Sequence, residues 1–561
     1  MSSHYTCDVL CIGGGGAAVT AAIKADSCGA SVILVSKEPL GYGDTRMSMG
    51  MLAYPRIDKN DGTEAFLQDL LAGGENINDP KLAGIMAEKA SEARTILEGF
   101  GHFYQRDASG KISVEITHRT GGHSLPRTIG CPPSNGVGIG NSLRAAAAKS
   151  GLKIFEETVA YKLLTDGKRA TGAVCFDLVS GQVLVVTAKT IIIATGGAGW
   201  LYYPHTSCSA GATGDGYSLA YEAGAELTDM EQIQFAPFAL THPSSMIGLC
   251  ISDPAIAGPA GVLKDGSGQI ILENINTRTR AEVARVMATH LKKNEGSAYG
   301  GLLLDLSPNL KSDAGRKQWD RRNMLGQLSM VRAAYGERAY RWEEPWDVAP
   351  TAHYNMGGIK VNAEAESAVH GLYAAGQAMG GVFGANRLGA ASLAEIFVFG
   401  EIAGAAAAGR ARGMSMPGTP EADAAACQLA GLIGRRGSTP PLVLKRKLQK
   451  IMWEKAGISR EESTLREALS EINAIRQESE DIRISSVKAY NREVIHAIEL
   501  KHMLLCAELI IISSLTRRET RGAHLRLDYP ERNDVDWRCN VIVKNKDGKP
   551  EIRTEAVDAI S

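Results

Sequence analysis

The pattern of apolar and polar positions at the start of the chain predicts a strand, a tight turn and a helix. An apolar run at Val9–Ile12 is followed by four glycines and an alanine-rich segment, and the glycines fit G-x-G-x-x-[GA] at Gly13, Gly15 and Ala18. Small residues are needed there because a pyrophosphate must approach the backbone and lie at a helix N-terminus. A second apolar run, Ser31–Ser36, follows at βαβ distance. This order favours nucleotide binding over a merely flexible turn and leaves the nucleotide open.

Further along, the pattern predicts a nucleotide-binding fold that is interrupted and then resumed. Leu152–Thr187 alternates as a small antiparallel meander, and Ala188–Gly199 is typical of a buried strand that returns to the first sheet. From Ala236 to Trp346 glycines are fewer and charged helical segments appear, which indicates an inserted domain. Ala349–Ala378 then brings back strand-like, glycine-rich sequence. We expect the insert to cover the cofactor as a lid.

The remaining periodicity is mostly helical. Thr63–Phe100 has helical spacing, and a Gly/Pro-rich linker at 413–420 precedes a predicted antiparallel helix bundle. The predicted bundle helices are Pro441–Lys455, Ser463–Glu478 and Ile482–Ser514, and short strands are predicted at Asp536–Val543 and Pro550–Ala556. The domains expected are therefore 1–235 with 349–412, then 236–348, 421–515 and 516–561.

Composition narrows the class of protein. The 561 residues are too many for one hydrophobic core, and a net charge of −1 gives no reason to expect a nucleic acid or an anionic membrane surface as partner. The ten cysteines include no C-x-x-C pair, which argues against an internal iron–sulfur or zinc site and for reduced thiols. No signal peptide is apparent, and the apolar run Leu504–Leu515 is too short to span a bilayer. We expect a cytoplasmic protein that meets a membrane only through partner subunits.

Three polar features leave alternatives open. The acidic residue that usually binds a ribose at the end of the second strand is replaced by Ser36 and Lys37, which weakens the case for NAD. Asp215, near the start of a predicted helix, could contact a cofactor or simply cap the helix. The polar segment 117–127 could belong to a site or form a solvated turn.

Several motifs together resemble the succinate dehydrogenase/fumarate reductase flavoprotein family, which includes L-aspartate oxidase and the adenylylsulfate reductase flavoprotein. The resemblance covers nearly the whole chain. The motifs are GGGGAA at 13–18, ATGGAG at 194–199, TGDG at 213–216, PTAHYNMGGI at 350–359, GANRLGAASL at 384–393 and ETRGAHLRLDYP at 519–530. The resemblance implies an α/β fold in which a Rossmann-type FAD-binding domain is interrupted by an α+β capping domain and followed by a helical bundle and a small C-terminal domain. It also implies FAD rather than NAD.

The family pattern assigns cofactor contacts to matching positions. The glycine turn would cradle the pyrophosphate, the end of the second strand would lie near the adenosine, and the first turn of the helix after GANRLG would meet the N1/O2 edge of the isoalloxazine. The residues implied are Gly13, Gly15, Gly16, Ala17, Ser36, Lys37, Thr45, Gly50, Thr195, Gly196, Asp215, Gln377, Ser392 and Leu393.

The same resemblance implies three catalytic residues. His353 and Arg387 would hold a substrate carboxylate over flavin N5, and the planar guanidinium suits a bidentate carboxylate contact. Arg280 matches the arginine that donates or accepts the substrate proton, with Arg278 as a rival assignment. A structural ion pair or core hydrogen bond is the alternative role for each.

Departures from the pattern concern both cofactor and substrate. Asp44 precedes Thr45 where covalent family members have the linking His, so FAD should be noncovalent, and Gln377 replaces the ribose-binding Glu. The family's His-Pro-Thr appears as Ala236-Pro237-Phe238, and its Thr-Glu and Arg as the SDPAIA segment at 252–257. A site that loses one side of a dicarboxylate pocket loses several hydrogen bonds and ion pairs.

We therefore expect a substrate other than plain fumarate. It keeps one carboxylate, or another anion, for His353 and Arg387 and presents a less polar group to Ala236 and Phe238, with His123 lining the altered side. The implied function is an FAD-dependent oxidoreductase of the fumarate reductase type, acting reductively on a C=C bond with electrons from an iron–sulfur partner. The alternatives are an adenylylsulfate-reductase-like flavoprotein and an electron-relay subunit. The substrate, the direction, the electron donor and a higher oligomeric state stay open.

Overall fold

The computed structural model describes residues 2–55, 59–104, 106, 108–110, 122–130, 135–324 and 328–557. The strands are β1 Ser3–Ile12, β2 Val32–Val35, β3 Leu52–Ala53, β4 Thr128–Ile129, β5 Lys153–Phe155, β6 Thr158–Thr165, β7 Ala170–Asp177, β8 Gln182–Ile193, β9 Leu227–Thr228, β10 Ile233–Leu240, β11 Cys250–Ser252, β12 Val262–Lys264, β13 Ile270–Leu272, β14 Leu302–Asp305, β15 Trp346–Asn355, β16 Gly358–Ile359, β17 Leu372–Ala374, β18 Ser459–Arg460, β19 Leu525–Arg526, β20 Cys539–Lys546 and β21 Lys549–Ala556. The helices are α1 Gly16–Ser27, α2 Asp44–Met47, α3 Thr63–Gly73, α4 Pro80–Lys89, α5 Glu92–Gly99, α6 Asn135–Ala148, α7 Asp215–Glu222, α8 Arg280–Lys292, α9 Asp313–Met324, α10 Ser329–Tyr340, α11 Ala391–Ala411, α12 Ala422–Ala430, α13 Pro441–Ala456, α14 Glu462–Glu478 and α15 Arg492–Thr516.

The largest sheet has the strand order β5-β2-β1-β8-β7-β6, with β17 beside the end of β8. Strand β1 is parallel to both β2 and β8, and β17 is parallel to β8. The strands β6, β7 and the first half of β8 form the antiparallel meander. The end of β8 lies directly beside β1, so the return of segment 188–199 to the first sheet is confirmed. The carboxyl ends of β1, β2 and β8 meet at the glycine turn, where open α/β sheets bind their ligands.

Helices α1 and α11 pack against each other at close range. A Cβ atom on Gly400 would lie 2.9 Å from the Thr20 Cβ, and one on Gly404 would lie 2.4 Å from the Ala21 carbonyl oxygen. Glycine permits this approach because it has no side chain. Helix α11 is long and apolar enough to cross a membrane, and 67% of its most apolar window is buried inside the protein, as in a core helix.

A second sheet, β11-β10-β15-β14-β12-β13, is antiparallel and has its own hydrophobic core. Two strands belong to both cores. In β10, Phe235 packs in the first core and Phe238 in the second, and in β15 the same holds for Tyr354 and Trp346. The predicted boundaries of the insert, 235/236 and 348/349, fall inside these two strands. The division into domains stays a prediction.

The predicted helix Ile482–Ser514 begins ten residues later than expected, at Arg492. Asn491 accepts a hydrogen bond from the Glu493 N–H as the N-cap, and its own amide donates to the Ser485 and Val487 carbonyl oxygens. These bonds stabilise the non-helical loop before it. The predicted helical stretch Thr63–Phe100 is likewise divided into α3, α4 and α5.

The C-terminal segment completes a small sheet of the order β16-β9-β20-β21 and contacts the loop before α11. Strand β20 pairs with β9 and β21, and Arg517 is buried beside Asp229 and Glu231. The Ala523 N–H donates to the Ala385 carbonyl oxygen over 2.9 Å. Since Ala385 lies in the GANRLG loop, the C-terminal segment supports that loop directly.

Glu395 on α11 gives a test of the core. Its side chain is 1% exposed, and burial raises the pKa of its carboxyl to about 8. The folded protein keeps the proton up to that pH, whereas the unfolded chain releases it near pH 4.5. Stability should therefore fall as pH rises between these values, by up to about 1.4 kcal/mol per pH unit.

In Glu395→Gln this pH-dependent loss should disappear. The free energy of unfolding of the variant in urea should therefore increase relative to that of the wild type from pH 5 to pH 8. The control Glu401→Gln changes a carboxylate on the same helix that pairs with Lys24 near the surface. It retains Glu395 and should retain the wild-type pH dependence. Parallel stability profiles for Glu395→Gln and the wild type would contradict the prediction.

Candidate active site

A cavity of about 400 Å³ extends from the glycine turn after β1 to the end of β15. Most residues predicted to hold the cofactor line it. They are Gly13, Gly15, Gly16, Ala17, Ser36, Lys37, Thr45, Thr195, Gly196, Asp215, Gln377, Ser392 and Leu393. Gly50 is not among the lining residues, although its neighbours Met49 and Met51 are.

The glycine turn is shaped by close backbone packing. Gly13 has φ +136°, and a Cβ atom there would lie 2.2 Å from the Ala194 carbonyl oxygen at the end of β8. The Gly13 N–H donates to the Val35 carbonyl oxygen, and the Gly16 N–H donates to the Thr45 hydroxyl over 3.1 Å. The turn therefore lies among three strand ends with the N-terminus of α1 beside the cavity, an arrangement suited to a pyrophosphate.

Lys37 also lines the cavity and lies in a buried ion network. Its ammonium is 2.7 Å from the Asp215 carboxylate and 3.3 Å from that of Glu499 on α15. Although burial lowers the pKa of Lys37, these two carboxylates raise it by more. Asp215 is the first residue of α7 and Gly214 is the N-cap, so the carboxylate pairs with Lys37 instead of capping the helix.

Two polar atoms in the cavity wall indicate that a polar ligand fits there. The Thr195 hydroxyl and the Gln377 amide nitrogen are buried and have no hydrogen-bond partner among the described residues. Buried donors without partners are costly, so a ligand with acceptor groups would stabilise them. Together with the glycine turn, this donor set fits a dinucleotide cofactor.

The three predicted catalytic residues meet at the far end of the cavity. Arg280 is 7% and Arg387 4% exposed, and no carboxylate within the described ranges lies at ion-pair distance from either guanidinium. Burial and the neighbouring Arg280 lower the pKa of Arg387 to about 9. Two buried positive charges with no carboxylate at ion-pair distance in the described part of the chain favour an anionic ligand.

His353 lies beside this pair on β15. Its Nδ1 is 2.7 Å from the Ser207 hydroxyl. Burial, reinforced by Arg280 and Arg387, holds the pKa of His353 well below its usual range. The ring is therefore a neutral hydrogen-bonding group whose orientation Ser207 fixes. Arg278, the rival of Arg280, does not line the cavity; its Nε donates to the Glu273 carbonyl oxygen near the surface.

Gln234 on β10 is a site residue that the sequence analysis missed. Its amide oxygen accepts from the Arg280 Nη1 and from the Arg387 Nη2, both over 3.2 Å. Its amide nitrogen donates to the Asn386 side-chain oxygen and the Arg387 carbonyl oxygen, both over 2.7 Å. The one available signal was a glutamine inside the apolar strand IQFAPFAL, since a buried amide needs partners.

Three residues expected to face the substrate are not among those that line the cavity. Phe238 packs in the second hydrophobic core, and Ala236 pairs with Thr351 in the sheet. The strand register shifts between Gln234 and Phe235 and again between Ala236 and Ala239, so simple strand alternation did not predict these side-chain directions. Leu249, Cys250 and Met330 line the cavity in their place.

His123, the third of these residues, also lies outside the cavity lining. Its Nε2 is 2.9 Å from the Gly389 carbonyl oxygen, and Arg127 donates to its Nδ1 over the same distance. Arg127 in turn pairs with Asp61 and Asp69, so this part of the polar segment 117–127 supports the loop before α11 from behind. Positions 117–121 of that segment are outside the described residues.

Comparison with known proteins gives a consistent match along the chain. Residues 8–393 match the model of an FAD binding domain, and residues 445–560 match that of a fumarate reductase flavoprotein C-terminal domain. The chain is 35% identical to an uncharacterized FAD-dependent oxidoreductase of Methanocaldococcus jannaschii, over 96% of each chain. It is 32% identical to one subunit of the fumarate reductase (CoM/CoB) of Methanothermobacter marburgensis, over 97% of this chain and 98% of that one.

Solved structures agree with this match. A chain from a point mutant of Escherichia coli quinol fumarate reductase superposes with a TM-score of 0.89 at 26% identity. The superposition covers 100% of this chain and 98% of that one.

Gly13→Ala tests whether the turn after β1 holds FAD. The new Cβ would collide with the Ala194 carbonyl oxygen, and alanine disfavours φ +136°. We expect the purified variant to contain at least about tenfold less flavin, measured by absorbance after release with acid.

The matched control is Gly84→Ala in α4, where a Cβ would meet nothing within 4 Å. It should retain full flavin content and gain slightly in stability. Full flavin content in a folded Gly13→Ala protein would show that the cofactor does not depend on this turn.

Proposed function

The chain belongs to the fumarate reductase and succinate dehydrogenase flavoprotein family, and on this premise we propose that it reduces a C=C bond next to a carboxylate of a substrate other than plain fumarate. It is an FAD-dependent oxidoreductase of the fumarate reductase type. The observation that carries the proposal is the meeting of Arg280 and Arg387, buried and without a carboxylate partner among the described residues, at one end of the cofactor cavity.

The arginine pair favours a substrate with a carboxylate. Removing a guanidinium from water is costly unless an anion compensates it, so the free energy of binding comes largely from this group. Arg387 also lies with its guanidinium carbon 4.7 Å from the centre of the Tyr354 ring, which limits the directions in which it can bind. His353, neutral and fixed by Ser207, supplies a hydrogen bond without adding a third charge.

Another part of the cavity wall is less polar. Leu249 and Cys250, around the start of β11, and Met330 on α10 line it. A second carboxylate placed against these side chains would lose its hydrogen bonds with water without gaining ionic partners. This contrast supports a substrate with one carboxylate and an apolar or weakly polar group.

The chemistry divides between cofactor and protein. FAD held along the cavity from the glycine turn would, in its reduced form, supply the hydride for one carbon of the double bond. Arg280 donates a proton to the other carbon and is reprotonated from solvent, so the substrate gains one hydride and one proton. A positively charged donor close to the substrate anion also stabilises negative charge as it develops.

The electrons require a second protein in this proposal. Within the described ranges, no group of three or more His, Cys, Asp or Glu side chains could hold a metal ion. We propose an iron–sulfur protein as the donor, and the Methanothermobacter marburgensis relative, named as one subunit of a larger enzyme, supports a partner protein. We also propose noncovalent FAD, because Asp44, whose carboxylate accepts from the Ser209 N–H over 2.6 Å, lacks a ring nitrogen for a covalent link.

The proposed reaction can be tested without its natural donor. Under anaerobic conditions, reduced viologen should supply the electrons for the reduction of enoates with an apolar substituent. The reaction is measured as the loss of the reduced dye's absorbance. Crotonate-like monocarboxylates should have a higher kcat/KM than fumarate, because the wall of Leu249 and Met330 favours an apolar group. Reoxidation by none of a broad panel of enoates would refute the reductase proposal, and a clear preference for fumarate would refute the monocarboxylate part.

Arg280→Gln should lower kcat by about 10²- to 10⁴-fold, since it removes the proton donor while retaining a polar side chain. The chain offers a control two residues away: Arg278→Gln removes a guanidinium that lies outside the cavity. Its kcat should stay within about threefold of the wild type. A greater loss of kcat in Arg278→Gln than in Arg280→Gln would assign the proton donor to Arg278 instead of Arg280.

A further inference from the structure

Gln234 connects the two arginines through a single atom. One amide oxygen accepts from Arg280 on α8 and from Arg387 in the loop before α11, and the residue itself lies on β10. Three separate parts of the chain thus meet at a side chain with 0% exposure. We propose that Gln234 is a positioning residue that fixes the spacing of the two guanidinium groups and keeps their charges available to the substrate anion. This inference rests on the proposed function.

The orientation of the amide follows from its partners. The Arg387 carbonyl oxygen can only accept, so the Gln234 atom 2.7 Å from it must be the NH₂ group. The second N–H then meets the Asn386 side-chain oxygen over 2.7 Å. With both N–H groups used, the amide oxygen must face the guanidinium groups. Both of its lone-pair directions are occupied, so the amide is fully satisfied and cannot flip without losing hydrogen bonds.

A neutral acceptor is important at this position. A carboxylate would pair ionically with both guanidinium groups and compensate the charge that should bind the substrate. A fully apolar side chain would leave two buried guanidinium N–H groups without an acceptor and the two like charges without a fixed separation. The amide oxygen avoids both effects, because it accepts two hydrogen bonds without neutralising either arginine.

The surrounding sheet fixes Gln234 itself. It pairs with Tyr354 in the β10–β15 ladder, next to His353, and the β-bulge after Ala236 directs the following residues into the second core. The position of the amide is therefore tied to the same strand that carries the neutral histidine. A movement of β10 relative to the loop before α11 would separate Arg280 from Arg387.

The alternative is that Gln234 only fills space and satisfies the Arg387 carbonyl. The two variants Gln234→Glu and Gln234→Met distinguish these roles, because both remove the amide donors but only Glu adds a charge between the arginines. Malonate and crotonate serve as anion probes of the oxidised, flavin-loaded protein. Their binding is measured by the change in flavin absorbance and by the shift in melting temperature, so that no turnover is needed.

For Gln234→Glu we expect the Kd of both probes to rise by about tenfold at pH 8, with partial recovery toward pH 6 as the new carboxyl is protonated. For Gln234→Met we expect the Kd to stay within about threefold and kcat with the best enoate to fall by about tenfold, because the charges remain but their spacing is lost. Equal weakening of anion binding in both variants without pH dependence, or no change in either, would overturn the proposal.

The control is Gln449→Glu on α13, away from the cavity. Gln449 is also buried; its amide nitrogen donates to the Trp200 carbonyl oxygen and its oxygen accepts from Arg446 over 3.0 Å. Anion binding in this variant should stay within about twofold of the wild type. If Gln234→Glu does not fold, the Met variant alone decides: tight anion binding with reduced kcat supports the role, and weak binding refutes it.

The outcomes also separate this inference from the reductase proposal. If the wild-type protein binds malonate but reduces no enoate, the proposed reaction is refuted. The role of Gln234 in anion binding is then decided by the malonate affinity of Gln234→Glu. A wild-type protein that reduces enoates, with a Gln234→Glu variant that binds malonate equally well, refutes the inference alone. A wild-type protein that responds to neither anion refutes it as well.

Discussion

Two buried guanidinium groups that share one amide oxygen form the constraint on which the rest of the structure depends. Like charges in a low-dielectric environment repel strongly, so Arg280 and Arg387 stay close only because the chain fixes each of them from a different side. Helix α8 positions the first, the GANRLG loop positions the second, and β10 supplies Gln234 between them. The cost in folding free energy is recovered when an anion enters.

The position of Arg387 depends on parts of the chain that are distant in sequence. The C-terminal segment donates a hydrogen bond from Ala523 to Ala385, and the network of His123 and Arg127 supports Gly389 from the other side. Both contacts hold the loop before α11 without entering the cavity. The ETRGAHLRLDYP motif, whose role the sequence alone did not indicate, is thus part of the support of the site.

Local patterns in the sequence were sufficient for the βαβ unit and for the residues at its turn, because the glycine run and the apolar runs beside it follow one another in the chain, although the space at Gly13 is limited by the distant Ala194. The three catalytic positions came from motif resemblance, and the structure brings them together. A glutamine inside an apolar strand indicated that Gln234 needs buried partners, but the sequence did not identify them, since they lie 46 and 153 residues away. Ala236 and Phe238 do not line the cavity, and two register shifts in β10 alter which face each strand residue occupies.

The two walls at the far end of the cavity differ in how freely they can change during evolution. The charged wall is bound into hydrogen bonds from several segments, so most changes there would disturb more than one partner. The wall of Leu249, Cys250 and Met330 comes from a short strand start and one helix, and these side chains are not among the hydrogen-bond partners of the shared amide. Mutations can therefore accumulate on it one at a time, and a lineage with this architecture could acquire new substrates while the proposed proton donor and carboxylate anchor stay unchanged.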